Sequence, residues 1–257
     1  MSAQRHSSTD FDHTCFAVHD ALAVARQLRA THGATPITGE TLEAFRYLML
    51  YIGSEDVGTS VEFIEPIGVG FLDSYLAQRG PSAHHLTFTV DHLADVVATV
   101  RDHGFGVVDE NYAHASWQEA FIRPDATHRT IIQLASSDRQ YLTPRDLLTS
   151  QARDAQAMPH IHGATDRTWW TSLWQTPAGA TKHLGPTVLK TTNMDASHEL
   201  FGTILQGQVA NGQAPGGVVY SWPSGAIEVV PSDTAGIVGI RTPEESEVLD
   251  LSAITTS

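Results

Sequence analysis

Two stretches decide the fold, FDHTCFAVHDALAVARQLRATHG (Phe11–Gly33) and HHLTFTVDHLADVVATVRDHG (His84–Gly104). Each opens with alternating apolar residues, crosses an aspartate, enters an amphipathic segment and stops at glycine. Asp20 and Gly33 are 13 positions apart, and so are Asp91 and Gly104. An aspartate side chain can accept from the first free amides of a helix, and glycine tolerates the left-handed turn that ends one. Leu22, Ala25 and Leu28 form one helical stripe. Leu93, Val96, Val97 and Val100 form the other, at the spacing of a face packed on a sheet. The chain is therefore built on a repeat, which constrains architecture more than any single element does.

Outward from these cores, FRYLMLYIG (Phe45–Gly53) and SVEFIEP (Ser60–Pro66) follow the first helix and read as a hairpin. GVVDENYAHASWQEAFIRPD (Gly106–Asp125) and TIIQLAS (Thr130–Ser136) follow the second. The expected class is α+β, with paired modules at 11–66 and 84–136 that each fit one strand, one helix and about three further strands. The linker between them carries a short helix ending at Gly80-Pro81. A weaker third copy starts at TVLKTTNMDASHELFGTILQG (Thr187–Gly207), where Asp195 would cap a stripe of Leu200, Phe201, Ile204 and Leu205, and continues to GAIEVVP (Gly225–Pro231). The expected organisation is a complete domain over 1–140, a connector over 141–185, and a degenerate, partial second domain over 186–257. In the connector, Trp169, Trp170 and Trp174 are candidates for packing or a lid, and a polar segment explains His160 and His162.

Composition narrows the partners. The chain has 257 residues, with 15 Lys and Arg against 29 Asp and Glu, a net charge of −14. A field of that sign repels phosphate backbones and anionic lipid, so neither nucleic acid nor membrane is expected as a partner. The single cysteine, Cys15, excludes an internal disulfide and a cysteine-built zinc knuckle, and suits a reducing, cytoplasmic setting. The N-terminal residues show no signal-peptide core, and no apolar run approaches membrane-spanning length.

Alternate residues of a strand share a face, so His13 lies with Cys15 and Ala17, and His85 with Thr87 and Thr89, away from the helices. In the closing strands Glu62 interrupts Val61 and Phe63, and Gln133 interrupts Ile132 and Leu134. His13 to Glu62 is 49 positions and His85 to Gln133 is 48, so both copies contribute the same kind of pair from the same structural place. Two imidazoles, one carboxylate and one amide oxygen suit one divalent ion such as Zn, Co, Mn, Ni or Fe, with coordination positions left for substrate.

FDHTCFAV, SVEFIEPIG, the run FLDSYLAQRGPSAHHLTFTV and TIIQLAS resemble the vicinal oxygen chelate superfamily of glyoxalases, bleomycin resistance proteins and dioxygenases. The resemblance covers about residues 11–136 and is greatest to methylmalonyl-CoA epimerases. It implies two βαβββ modules that form a cup-shaped mixed sheet around one divalent ion held by residues matching His13, Glu62, His85 and Gln133. In the epimerases the fourth ligand is commonly Glu, so Gln133 makes the site less negative and resembles the mixed pattern of glyoxalase I.

What the resemblance implies is a substrate that chelates the ion through neighbouring oxygens while a base removes a proton next to a carbonyl. Glu40 and Glu43 precede the second strand, and Glu43 lies close to where the epimerases place a catalytic glutamate. The leading expectation is a metal-dependent epimerase or isomerase acting on a small molecule through an enolate. The alternatives are an Fe(II) dioxygenase or glyoxalase-like lyase, with His13, His85 and Glu62 as ligands, and a non-catalytic drug-binding protein. In the third copy Glu228 matches Glu62 but Thr187 stands where His13 would be, so no second metal site is expected. That half would cover the first cup, shape the pocket or pair subunits into a homodimer.

Overall fold

The computed structural model describes residues 8–54, 57–138, 166, 168–242 and 247–254. His160, His162 and most of the connector lie outside these residues. The first module comprises β1 (Thr9–Ala17), α1 (Ala21–His32), β2 (Thr35–Thr41), β3 (Phe45–Gly53) and β4 (Gly58–Pro66). After α2 (Phe71–Arg79), the second comprises β5 (Ser82–Val90), α3 (Leu93–Asp102), β6 (Val107–Asn111), β7 (Gln118–Ile122) and β8 (Ile131–Ser136). The class is α+β, as the repeat implied. Together the modules make one mixed sheet of order β2-β3-β4-β1-β5-β8-β7-β6. The order is symmetric about the antiparallel β1/β5 pair, and each first strand runs parallel to its closing strand, β1 with β4 and β5 with β8.

Helix α1 is capped as its sequence requires. Asp20 accepts from the Ala23 amide at its start, and Gly33 ends it with φ 65°. Its buried stripe is Ala21, Val24, Ala25 and Leu28, and Leu22 is only partly covered at the margin. Helix α3 departs from expectation. His92 takes the N-cap position without a side-chain bond, because Asp91 is recruited by the amide and hydroxyl of Ser8. A contact 83 residues away in sequence thus overrides the local cap.

A second sheet, of order β10-β11-β12-β9-β13-β14, is built from β9 (Thr187–Thr191), β10 (Gln208–Asn211), β11 (Val218–Trp222), β12 (Gly225–Pro231), β13 (Gly236–Arg241) and β14 (Val248–Leu249). Its helix starts on Asn193, whose side chain accepts from the Ala196 amide, in place of the expected Asp195. The helix runs from Met194 to Ser197 and widens to a π-helix over His198–Ile204. Register also corrects the third-copy alignment. Glu62 pairs with Cys15, two residues after His13, whereas Glu228 pairs with Val188, so Pro186 takes the place of His13 and Thr187 that of Thr14. The Thr14 and Thr187 hydroxyls meet at 2.6 Å, joining the two sheets.

The helix-facing side of the first sheet is where the C-terminal half packs. Phe11, Phe88, Val97 and Val100 share one apolar core with Phe201, Tyr220 and Trp222, and Phe88 and Trp222 meet edge to face at 5.0 Å. Trp170 is completely buried against the α1 side and donates its indole N–H to the Gly39 carbonyl at 2.9 Å, so it is a packing residue and not a lid.

Glu228 is fully buried, receives the Ala214 amide at 2.7 Å, and is paired with Arg241 through Nε at 2.6 Å. Removing one member of such a pair strands the other charge in a dry interior. Arg241→Met is expected to lower unfolding stability by about 3–5 kcal/mol in urea titrations, and adding Glu228→Gln to restore part of it. Equal stability of wild type and Arg241→Met would refute this account of the pair.

Candidate metal centre

The site begins with two irregularities of the central β1/β5 pair. Between Phe11 and His13 on β1, and between Ala83 and His85 on β5, the register slips by one residue, leaving Asp12 and His84 as bulged positions. A bulge re-aims a side chain that strict alternation would send to the other face. Each bulged residue therefore turns against the imidazole that follows it. Asp12 Oδ1 lies 2.6 Å from His13 Nδ1, and His84 Nδ1 lies 2.8 Å from His85 Nδ1. These contacts fix ring orientation and leave each Nε2 directed to a common point.

At that point sits Glu62. Its Oε2 is 3.4 Å from His13 Nε2 and 3.8 Å from His85 Nε2, and donor atoms of all three residues lie within 4.8 Å of one another. Glu62 is paired with Cys15 on β1, and in the second module the equivalent strand pair is Gln133 with Thr87. The Thr87 hydroxyl donates to Gln133 Oε1 at 2.8 Å and lies 3.0 Å from His13 Nε2, linking the amide to the imidazole. His13, Glu62, His85 and Gln133 all line one cavity of about 710 Å³.

Charge in this cluster is unbalanced. Burial pushes His13 down, but Glu62 and Asp12 outweigh it and hold the imidazole up at about 10. Burial likewise pushes Glu62 up, and the two imidazoles bring it down to about 2. His85 is driven well below its ordinary value, first by burial and then by His84. Among the described residues no Lys or Arg pairs with Glu62, and its carboxylate is met by the two imidazoles and the Cys15 thiol. A carboxylate, two imidazoles and a nearby amide oxygen, preoriented and short of positive charge, fit a divalent cation of borderline softness.

The structure does not bring Glu43 into this group. It lies exposed on the turn between β2 and β3 and does not line the cavity, while its neighbours Leu42 and Phe45 do. Glu40 does not precede the second strand; it is a fully buried residue of β2 that pairs with Tyr47 on β3. Glu119 on β7 lines the cavity and accepts from Gln133 Nε2 at 2.8 Å, restoring a carboxylate beside the amide. Its signal was present in sequence, because Glu119, Phe121 and Arg123 alternate along one strand and all three line the cavity. By register Phe121 faces Gln133 as Met49 faces Glu62, which makes Glu119 the counterpart of Tyr47 on the opposite arm. No described residue of the C-terminal half lines the cavity.

Residues 12–121 match the model of the Glyoxalase/Bleomycin resistance protein/Dioxygenase superfamily, and the first sheet carries a domain of that superfamily. None of the curated proteins matches the sequence. Among solved structures, a methylmalonyl-CoA epimerase of Streptomyces coelicolor in complex with 2-nitronate-propionyl-CoA is 24% identical, covering 51% of this chain and 99% of its own, with a TM-score of 0.45. The Mycobacterium tuberculosis methylmalonyl-CoA epimerase is 19% identical, covering 51% of this chain and 89% of its own, with a TM-score of 0.45. A hypothetical protein of Bacillus halodurans C-125 is 18% identical, covering 53% of this chain and 99% of its own, with a TM-score of 0.47.

A ligand imidazole must surrender its proton to a metal, and His13 holds one well past neutrality. Binding of Mn(II) or Zn(II) at pH 7 is expected to release about one proton, and affinity to rise with pH. Calorimetry in buffers of different ionisation enthalpy reads this directly, and buffer-independent heats would contradict it.

Proposed function

We propose that this superfamily domain is a metal-dependent epimerase or isomerase, moving a proton next to a carbonyl of a small substrate that chelates through two oxygens. The observation that carries the reading is Glu62, a carboxylate only 12% exposed that faces two imidazoles with no Lys or Arg partner among the described residues, at the wall of a cavity that also holds the second carboxylate, Glu119. A divalent ion held by His13, Glu62, His85 and Gln133 would supply the Lewis acid that stabilises an enolate oxygen.

The chain's own groups supply the rest. Glu119, held by the Gln133 amide, is the carboxylate that takes the proton from carbon. Tyr47 faces the cavity from the opposite arm, and burial, then Glu40 and Glu62, push its phenol well above the ordinary value, so it keeps a proton to return to the other face. Phe45, Phe71, Trp117 and Phe121 wall the space against water, which strengthens each electrostatic contact inside. Arg123 is the one Lys or Arg among the lining residues, and it fits an anionic group at the far end of the substrate. The setting that suits this chemistry is the cytoplasm. The exposed Ile67, Val69 and Phe71 near the cavity fit pairing of two copies.

A second reading is favoured by one feature. Gln133 is engaged at both ends of its amide, by Thr87 and Glu119, which leaves His13, His85 and Glu62 as the two-histidine, one-carboxylate set of Fe(II) oxygenases.

Metal-loaded protein in D2O, offered a panel of 2-substituted 3-oxo acids, their thioesters and 2-hydroxy ketones, is expected to place deuterium in one class at the carbon next to the carbonyl. Glu119→Gln should slow that exchange by about 10²-fold or more with full metal content. Tyr47→Phe should preserve exchange while losing stereochemical inversion. Oxygen uptake with Fe(II) and no deuterium in any compound would transfer the assignment to the oxygenase.

A further inference from the structure

The same strand pair carries a second set of converging donors, which shares His85 with the first and adds two residues that the proposed reaction leaves unused. Cys15 is the chain's one cysteine, fully buried, and it pairs directly with His85 across β1 and β5. In a regular strand His84 and His85 would point to opposite faces. The bulge at His84 puts both on the cavity side, above Cys15, and sets their Nδ1 atoms 2.8 Å apart. Donor atoms of Cys15, His84 and His85 all lie within 4.8 Å of one another, without the participation of Glu62 or His13.

We infer that Cys15, His84 and His85 form a site for a thiophilic metal ion, Cd(II) or Cu(I), in competition with the His13, Glu62 and His85 set for the imidazole they share. One thiolate and two imidazoles are a softer donor group than two imidazoles with a carboxylate and an amide, so ion softness decides which set is occupied. His85 turns Nε2 to Glu62 and Nδ1 to His84. A neutral imidazole has one nitrogen lone pair, so it serves one set at a time. Coordination breaks the S–H bond of Cys15, and its proton leaves to solvent as the metal–sulfur bond forms. Occupation by a thiophilic ion would thus withdraw a ligand from the other set. This site does not depend on the reaction proposed above.

The test uses the full chain, stripped of metal and titrated with Cd(II), reading the ultraviolet thiolate-to-cadmium charge-transfer band. With a single cysteine in the chain, a band saturating at one equivalent identifies Cys15 as the ligand without any variant. His84→Gln is expected to weaken Cd(II) binding by about tenfold or more. His13→Gln is expected to keep the band while losing Mn(II) uptake, and Cys15→Ser to lose the band while keeping Mn(II) uptake. Cd(II) uptake by wild type with no band, or a band indifferent to His84→Gln, overturns the site. The band is read without substrate, so its presence or absence is independent of the deuterium-exchange result.

Discussion

A carboxylate carried into the interior of a sheet must meet positive charge there, and the chain answers that constraint twice at one structural position. In the second sheet Glu228 is met by the guanidinium of Arg241 and an amide, and nothing further is required of it. In the first sheet the equivalent Glu62 is met by two imidazoles and the Cys15 thiol, with no guanidinium or ammonium among the described residues. An imidazole can exchange its proton for a metal, whereas a guanidinium cannot yield its charge. The difference between a structural module and a chemically open one is therefore the cation placed opposite one glutamate. The register that aligns Glu62 with Glu228 makes this comparison internal to a single molecule.

The bulges are the second constraint. The slip that frees His84 on β5 recurs on β13, where Val238 is the extra residue between Ile237 and Gly239. The irregularity thus belongs to the architecture, and only its side chains differ between copies. Where they are Asp12 beside His13 and His84 beside His85, the bulge orients imidazoles; where they are Val238 and Gly239, it orients nothing chemical. The two halves of the site are consequently related in backbone and unlike in charge, with an anionic neighbour for one imidazole and a neutral one for the other.

Much of the fold was legible because it rests on local rules. The Asp20 cap, the Gly33 turn, the hairpin and the strand parity of His13 and His85 need only neighbours in sequence. Features that depend on a partner strand were not legible. Neither Asp12 nor His84 announces its role, since a bulge is visible only when two strands are aligned. Asp91 reads as a cap until Ser8 claims it, and Thr187 reads as the counterpart of His13 until the Glu228 register moves it by one. Glu43 looks close to the reaction by alignment, yet β2 carries Glu40 inward and leaves Glu43 on the outer side of a turn. Glu119 was within reach, because it shares strand parity with Phe121, the residue that pairs with Gln133.

Phe11 and Phe88 of the first sheet are covered by Phe201 and Trp222 of the second, in one continuous apolar core. A chain ending after two modules would leave that surface open to water. Here the surface has been surrendered to the appended half, which contributes no described residue to the cavity. Such an arrangement acts as a ratchet in descent. Once the large aromatic residues had accumulated under cover, deleting the added segment would expose them all at once. The C-terminal half is therefore held to the first sheet by the cohesion of one shared core, whatever chemistry it does or does not carry.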